Sequence, residues 1–429
     1  MRKAAIILAA GKGTRLRSIL PKALHPICGK PMLGYLVERA RVAGCEKIVV
    51  VGGYKIELVR EYLKSLGLGA SLVCVEQKEQ LGSGHAVQQA ARALKNFQGA
   101  VFVFYCDTPL ISQATVKELF KNYSSEKTDC TLLSVELKQP FGYGRVQRGP
   151  SAEVVKIIEE NDATSDEKNI REINVGCYVF SAVRLFEGLK KIKKNPQKKE
   201  YYLTDIVEIF SQSGKVGAVI TADAKEVLGV NSQKDLARVE EIAQKRILDG
   251  WMDKGVRIRC PKTVTIDADV RIGQDTTVMP HTVLEQGSVI GRGCKLGPFA
   301  RIRGNSRVGN HVVVGNFVEL VRTTLGDHTQ VKHLSYLGDA SVGAYVNIGA
   351  GTITANYDGK NKHQTVIRDR ASVGSGTILV APVVVGRAAV TGAGAVVTRR
   401  NNVPDRALVV GVPARIITKR HLKRHPRNL

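Results

Sequence analysis

No two cysteines of this chain form a CxxC pair, and none has a nearby His pair at ligand spacing. The eight cysteines are scattered from Cys28 to Cys294, so neither a zinc site nor a disulfide framework is implied, and reduced, mostly buried thiols are expected. Long apolar runs are also missing. The longest near the start, Ala4 to Ala10, falls far short of the roughly 20 residues that span a bilayer. It runs at once into GKGTRLR, a poor continuation for a secretory signal, so a cytoplasmic protein is expected. Aromatic residues make up only 5%, with one Trp. Few rings are therefore available to stack on bases, and no RNA-binding motif occurs. A net charge of +25 still calls for anionic partners. Positive charge clusters only in the tail from Lys419 to Leu429, which reads as solvated charge without membrane contact; phosphorylated small molecules are expected in place of nucleic acid.

Two periodicities divide the chain. Up to about Gly229, short apolar runs (KAAIILAA, KIVVVGG, ASLVCVEQ, AVFVFYCD, DCTLLSVEL) alternate with stretches apolar at helical spacing (LGYLVERARVAG, IELVREYLKSLG, GHAVQQAARALKNF, TVKELFKNYSS). Such alternation implies βαβ units around a parallel sheet, an α/β Rossmann-like domain that binds ligands at the carboxyl ends of its strands. From Ile266 to Leu320 an aliphatic residue recurs every six positions, with Gly following at 273, 291, 297, 309 and 315. This is the period of a parallel β-helix, whose aliphatic residues are its stacked core. The expected organisation is an α/β Rossmann-like domain over 1–231, a linker helix over 232–252 and a β-helix over 253–429.

The first strand leads into LAAGKGTRL, where Gly11 and Gly13 let backbone N–H groups converge on a triphosphate. Arg15 and, in LPK, Lys22 add positive charge for phosphate oxygens. The pattern lacks both the GK[ST] ending of a Walker loop and the GxGxxG of a dinucleotide site. Asp107 ends a strand, where a carboxylate can hold Mg²⁺ or merely form a turn.

Together with EQKEQLGSGHA (76–86), CDTPLI (106–111), FGYGR (141–145), IIEENDAT (157–164), EINVG (172–176), EYYLTDIV (200–207) and GVNS (229–232), these motifs closely resemble the bacterial bifunctional N-acetylglucosamine-1-phosphate uridylyltransferase and glucosamine-1-phosphate acetyltransferase family. The resemblance covers nearly the whole chain and implies that the β-helix is left-handed and trimeric. It implies that Leu8, Ala9, Ala10, Gly11 and Gln77 read the uracil, with Gly82 and Ser83 beside them. Tyr105, Gly144, Glu159 and Asn174 belong to the nucleotide and sugar positions, and Asp107 and Asn231 are the metal ligands. Arg15 and Lys22 then serve catalysis. Implied substrates are UTP and N-acetylglucosamine 1-phosphate in this half, and glucosamine 1-phosphate and acetyl-CoA in the other. Two departures stand out: Cys106 replaces the usual Gly, and Ser83 the usual Thr.

The six-residue repeat breaks over His333–Thr365. By the same resemblance, His333 is the base that takes a proton from the attacking amine, for which an imidazole is suited. Arg303, Tyr336, Asn347, Asn356 and Tyr357 match acceptor positions, and Ala350, Ser375 and Ala393 match coenzyme contacts. Val321 stands where a phosphate-binding Lys is usual, Arg322 can replace it only if the local register differs, and the ending lacks a late coenzyme-binding Arg, for which Arg415 is the candidate. A chain limited to uridylyl transfer, with the β-helix as a trimerising or regulatory module or as an acyltransferase of changed substrate, is the alternative.

Overall fold

The computed structural model describes residues 1–417, so the basic tail from Lys419 lies outside the described residues. Contacts divide the chain into Met1–Ile242 and Ala243–Leu429, with the division inside the helix Gln233–Met252.

In the first unit the central strand, Lys3–Ala9, lies between Lys47–Gly52 and Ala100–Tyr105, parallel to both. Ile6, Ile7, Val49, Val50, Val103 and Phe104 are wholly buried. Helices cover both faces of such strands, so they carry continuous apolar runs without alternation. Leu72–Glu76 extends the sheet on one side. On the other, Glu172–Ser181 joins Ala100–Tyr105 antiparallel, and Cys130–Glu136 and Val216–Ile220 follow. The sheet is thus mixed, not purely parallel as the motif order suggests. The helix expected over GHAVQQAARALKNF is Ser83–Gln89, after which the chain continues in turns closed by bonds such as Ala90 N–H to Val87 O and Ala91 N–H to Gln88 O. The ends of the three central parallel strands deliver Ala9–Gly11, Gly52–Gly53 and Tyr105–Asp107 to one edge.

The second unit is a left-handed parallel β-helix of short strands in three sheets. Its core is a column of aliphatic side chains, including Ile266, Leu284, Ile302, Leu320, Leu337 and Leu379, all fully buried. Coils lie so close that a Cβ on Gly291 would meet the Gly309 carbonyl at 2.5 Å, which explains the recurring glycines. Most coils advance 18 residues, as between Asp269 and Gly287. Two five-residue steps, Leu320 to Leu325 and Leu337 to Val342, shorten the coils there, so that Leu320 pairs with Leu337 and Leu325 with Val342, 17 residues on. The polar loop 356–363 lengthens the next coil, and Ala344 meets Asp369, 25 residues ahead. A contracted coil followed by an expanded one is the physical form of the broken repeat.

Candidate active sites

At the carboxyl edge of the first sheet is a cavity of about 310 Å³. Leu8, Ala9, Ala10, Gly11, Lys22, Gln77, Gly82, Ser83, Tyr105 and Asp107 line it, with Cys106, the departure noted beside Asp107, and so do Gln80, Ala23 and Glu200, which sequence reasoning did not assign to the site. Gln80 donates its amide to Ala10 O at 2.9 Å, tying the first loop to the segment after Leu72–Glu76. Gln77 is buried, and its amide nitrogen donates to Gly82 O at 3.1 Å. Gly82 has φ 97°, and a Cβ there would meet Tyr201 O at 2.6 Å, so only glycine fits. The Ser83 hydroxyl accepts from Leu203 N–H at 3.0 Å. Cys106 is buried beside the carboxylate, and burial, then the Asp107 charge, pushes its thiol pKa up.

The Lys22 ammonium donates to Asp107 Oδ2 at 2.8 Å and to Asn231 Oδ1 at 2.9 Å. It thereby joins three distant segments. Gly13 leaves room for it: its φ is 62°, and a Cβ there would come within 2.8 Å of Lys22 Cβ. The backbone binds the same corner, since Val230 N–H donates to Asp107 O at 2.8 Å. Asp235 Oδ2 accepts from the N–H groups of Asn231 and Ser232 at the start of Gln233–Met252. Asp107 and Asn231 together present a carboxylate and an amide oxygen to one cation, the hard donor set that suits Mg²⁺. Arg15 is exposed on the 3₁₀ turn Thr14–Leu16, outside the cavity lining, because its neighbour Leu16 takes the buried position.

From Tyr105 the site continues beneath the antiparallel strand. Tyr105 and Tyr178 pack as a tilted pair at 6.2 Å, and the Asn174 amide donates to the Tyr178 hydroxyl at 2.6 Å. Asn174 N–H donates to Gly144 O at 2.9 Å. Glu159 accepts from the Thr204 hydroxyl at 2.9 Å. Burial raises the Glu159 pKa, with Asp162 and Glu200 adding to the effect. Asp205, in the first turn of the helix after Thr204, is raised to about 6 by burial, then by Glu159 and its other acidic neighbours.

In the β-helix, Asn316 and His333 are partners on adjacent parallel strands, and the His333 Nδ1 lies 3.1 Å from Asn316 Oδ1. Sequence reasoning missed Asn316. Tyr336 pairs with Glu319 and Ile353 on the next sheet. Arg303, Val321 and Gly338 align across three strands. Val321 is buried, and Arg303 donates to Glu319 at 3.1 Å. Arg322 does not take the place of the missing Lys. It turns at φ 49° and binds Asp339 through two nitrogens, at 2.6 and 2.8 Å. Asp339 also accepts from the buried Asn356, and the Arg322 guanidinium is the main reason that its carboxyl titrates below the usual range. Tyr357 is exposed on the loop, its hydroxyl donating to Gly359 O at 2.6 Å. Asn347 is exposed on the strand after His333. Ala350, Ser375 and Ala393 fall at one corner of successive coils, where Ala350 O and Ser375 O accept from Gly376 and Gly394. Arg415 is exposed on a closing antiparallel strand.

Residues 5–173 match the MobA-like NTP transferase domain, and residues 269–304 and 287–322 match the bacterial transferase hexapeptide repeat. Fold and sites thus define a nucleotidyltransferase joined to a hexapeptide acyltransferase. The bifunctional protein GlmU of Shouchella clausii is 40% identical, with 98% of each chain covered. That of Pelotomaculum thermopropionicum is 45% identical over 89% of this chain and 90% of the relative, and that of Streptococcus mutans 39% identical over 98% of each. The chain belongs to the bifunctional GlmU family, and its halves are a uridylyltransferase and a glucosamine-1-phosphate acetyltransferase.

Proposed function

We propose that the β-helix acetylates glucosamine 1-phosphate from acetyl-CoA and that the first unit transfers uridylyl from UTP to the resulting N-acetylglucosamine 1-phosphate, releasing pyrophosphate. One observation carries the reading of the first half: a single cavity at the carboxyl edge of the sheet is lined by Leu8–Gly11, Gln77, Lys22 and Asp107. In this reading Leu8–Gly11 and Gln77 face the uracil, and Gly82, Ser83 and Tyr105 shape the wall behind it. Gly144, Glu159 and Asn174 hold the sugar. The sugar phosphate is already an anionic nucleophile, so it needs no base, and the site's task is alignment and charge neutralisation. Lys22 supplies one positive charge, and Arg15 meets phosphate oxygens from the exposed turn. Asp107 and Asn231 would hold Mg²⁺, which supplies further neutralisation of the phosphates when bound.

In the second half His333 accepts the amine proton. Arg303 takes the acceptor phosphate, for which it exchanges its bond to Glu319. Tyr336, Asn347, Asn356 and Tyr357 surround the amino sugar, while Ala350, Ser375 and Ala393 contact the coenzyme. A homotrimer and a cytoplasmic location belong to the same reading. Among the described residues no helix is long and apolar enough to cross a membrane.

The test is incubation of the full chain with glucosamine 1-phosphate, acetyl-CoA, UTP and Mg²⁺, with mass detection of products. UDP-N-acetylglucosamine, pyrophosphate and free coenzyme A are expected together. Coenzyme release without the UDP-sugar, or a UDP-sugar formed only from pre-acetylated substrate, would refute one half of the assignment.

A further inference from the structure

The coil that carries Asn316 and the coil that carries His333 meet with no room for a side chain at Gly315. Gly315 lies directly over the Lys332 carbonyl, where a Cβ would stand 1.9 Å from the oxygen. No side chain fits there. The next residue on each strand is Asn316 and His333, 17 positions apart across the shortened coil, and the chain then turns left-handed at both Phe317 and Leu334. The two side chains therefore leave the β-helix at the same corner. The Ser335 hydroxyl donates to His333 O at 2.7 Å, and Leu334 N–H donates to Asn316 O at 3.0 Å, so the backbone beneath the imidazole is fixed on both sides.

An amide oxygen can only accept a hydrogen bond, so the ring nitrogen facing it must carry the proton. The second nitrogen, Nε2, then has a free lone pair directed away from Asn316. We propose that Asn316 is a positioning residue for acetyl transfer: it holds His333 as the Nδ1–H tautomer, with Nε2 as the proton acceptor. This rests on the reading of His333 as the base. Such partners set which nitrogen is free and how the ring is aimed without touching the reacting atoms. Gly315 serves the same end by permitting the close approach of the strands.

The experiment is nitrogen NMR of the full chain labelled with [¹⁵N]histidine, His333 being identified from the signals lost in His333→Gln. A neutral ring protonated on Nδ1 is expected in the natural protein and in Asn316→Asp, which keeps an oxygen acceptor. Asn316→Leu should lose that preference and lower acetyltransferase kcat by roughly 10- to 100-fold, as loss of an orienting partner does, with acceptor KM and uridylyl transfer nearly unchanged. An Nε2–H ring in the natural protein, or a tautomer that Asn316→Leu leaves unaltered, overturns the proposal. Full acetyl transfer by His333→Gln would instead refute the base assignment, which separates the two failures.

Discussion

Lys22 Nζ sits 2.8 Å from Asp107 Oδ2, and the same ammonium reaches Asn231 Oδ1 at 2.9 Å. A monovalent cation on a side chain thus occupies the space between the two oxygens assigned to the metal. Side chain and metal compete for these oxygens, so binding the ion requires Lys22 to turn toward the nucleotide phosphates. Lys22→Met should therefore raise the affinity for Mn²⁺ alone by roughly tenfold, the equivalent of about 1.4 kcal/mol, while abolishing uridylyl transfer. Paramagnetic titration of the free protein measures the first effect and pyrophosphate release the second. Unchanged or weaker Mn²⁺ binding would contradict the competition.

Gly176 is a stability test of the sugar site. Its φ is 78°, and a Cβ would stand 2.8 Å from the Tyr105 ring. Gly176→Ala should cost about 1–3 kcal/mol, combining left-handed strain with the clash. Thermal melting should show the loss, and the KM for the sugar phosphate should rise because Asn174 and Tyr105 flank this residue.

Asp205 gives a pH dependence. Its folded pKa is raised to about 6 from an ordinary 3.8, first by burial and then by Glu159, Glu208 and Asp162. The folded state binds the extra proton between these values, so this group favours folding at low pH and its contribution is lost as pH rises through about 6. Asp205→Asn cannot lose that contribution. Relative to the natural protein its melting temperature should improve more at pH 7.5 than at pH 4.5, and an equal shift at both would show that Asp205 titrates normally.

At the second site Arg303 lies between Glu285, at 3.7 Å, and Glu319, at 3.1 Å. With Val321 buried beside it and Arg322 bound to Asp339, Arg303 is the basic residue that the proposed reading assigns to the acceptor's phosphate. Arg303→Met should raise the KM for glucosamine 1-phosphate roughly 10- to 100-fold, the scale of a charge-assisted hydrogen bond of about 1.5–3 kcal/mol. Steady-state kinetics with coenzyme A detection tests this, and an unchanged KM would place the phosphate elsewhere.

Much of this was readable before any coordinates. Continuous apolar runs mark strands covered on both faces, and the six-residue period marks the β-helix, because both patterns follow directly from burial. A glycine loop at the end of the first strand was legible since Gly11 and Gly13 follow that strand at once, whereas its reading as a uridine site came from the family resemblance. Asn316 was not legible, because the shortened coil breaks the period that would have aligned it with His333. Nor could spacing show that Lys22 would bridge Asp107 and Asn231, which meet only through the packing of three remote segments. The antiparallel placement of Glu172–Ser181 was hidden for a similar reason: a buried strand reads the same in either direction. Arg322 illustrates the opposite case, since strand alternation already argued that it would not replace a residue at Val321.

The most direct test of the central claim is calorimetric titration of UTP into the full chain with and without Mg²⁺, repeated on Asp107→Asn. Metal-dependent uptake of UTP by the natural protein, with that dependence largely lost in the variant, is predicted. No uptake with Mg²⁺ present, or an identical metal dependence in Asp107→Asn, would contradict the placement of the triphosphate at Lys22 and Asp107.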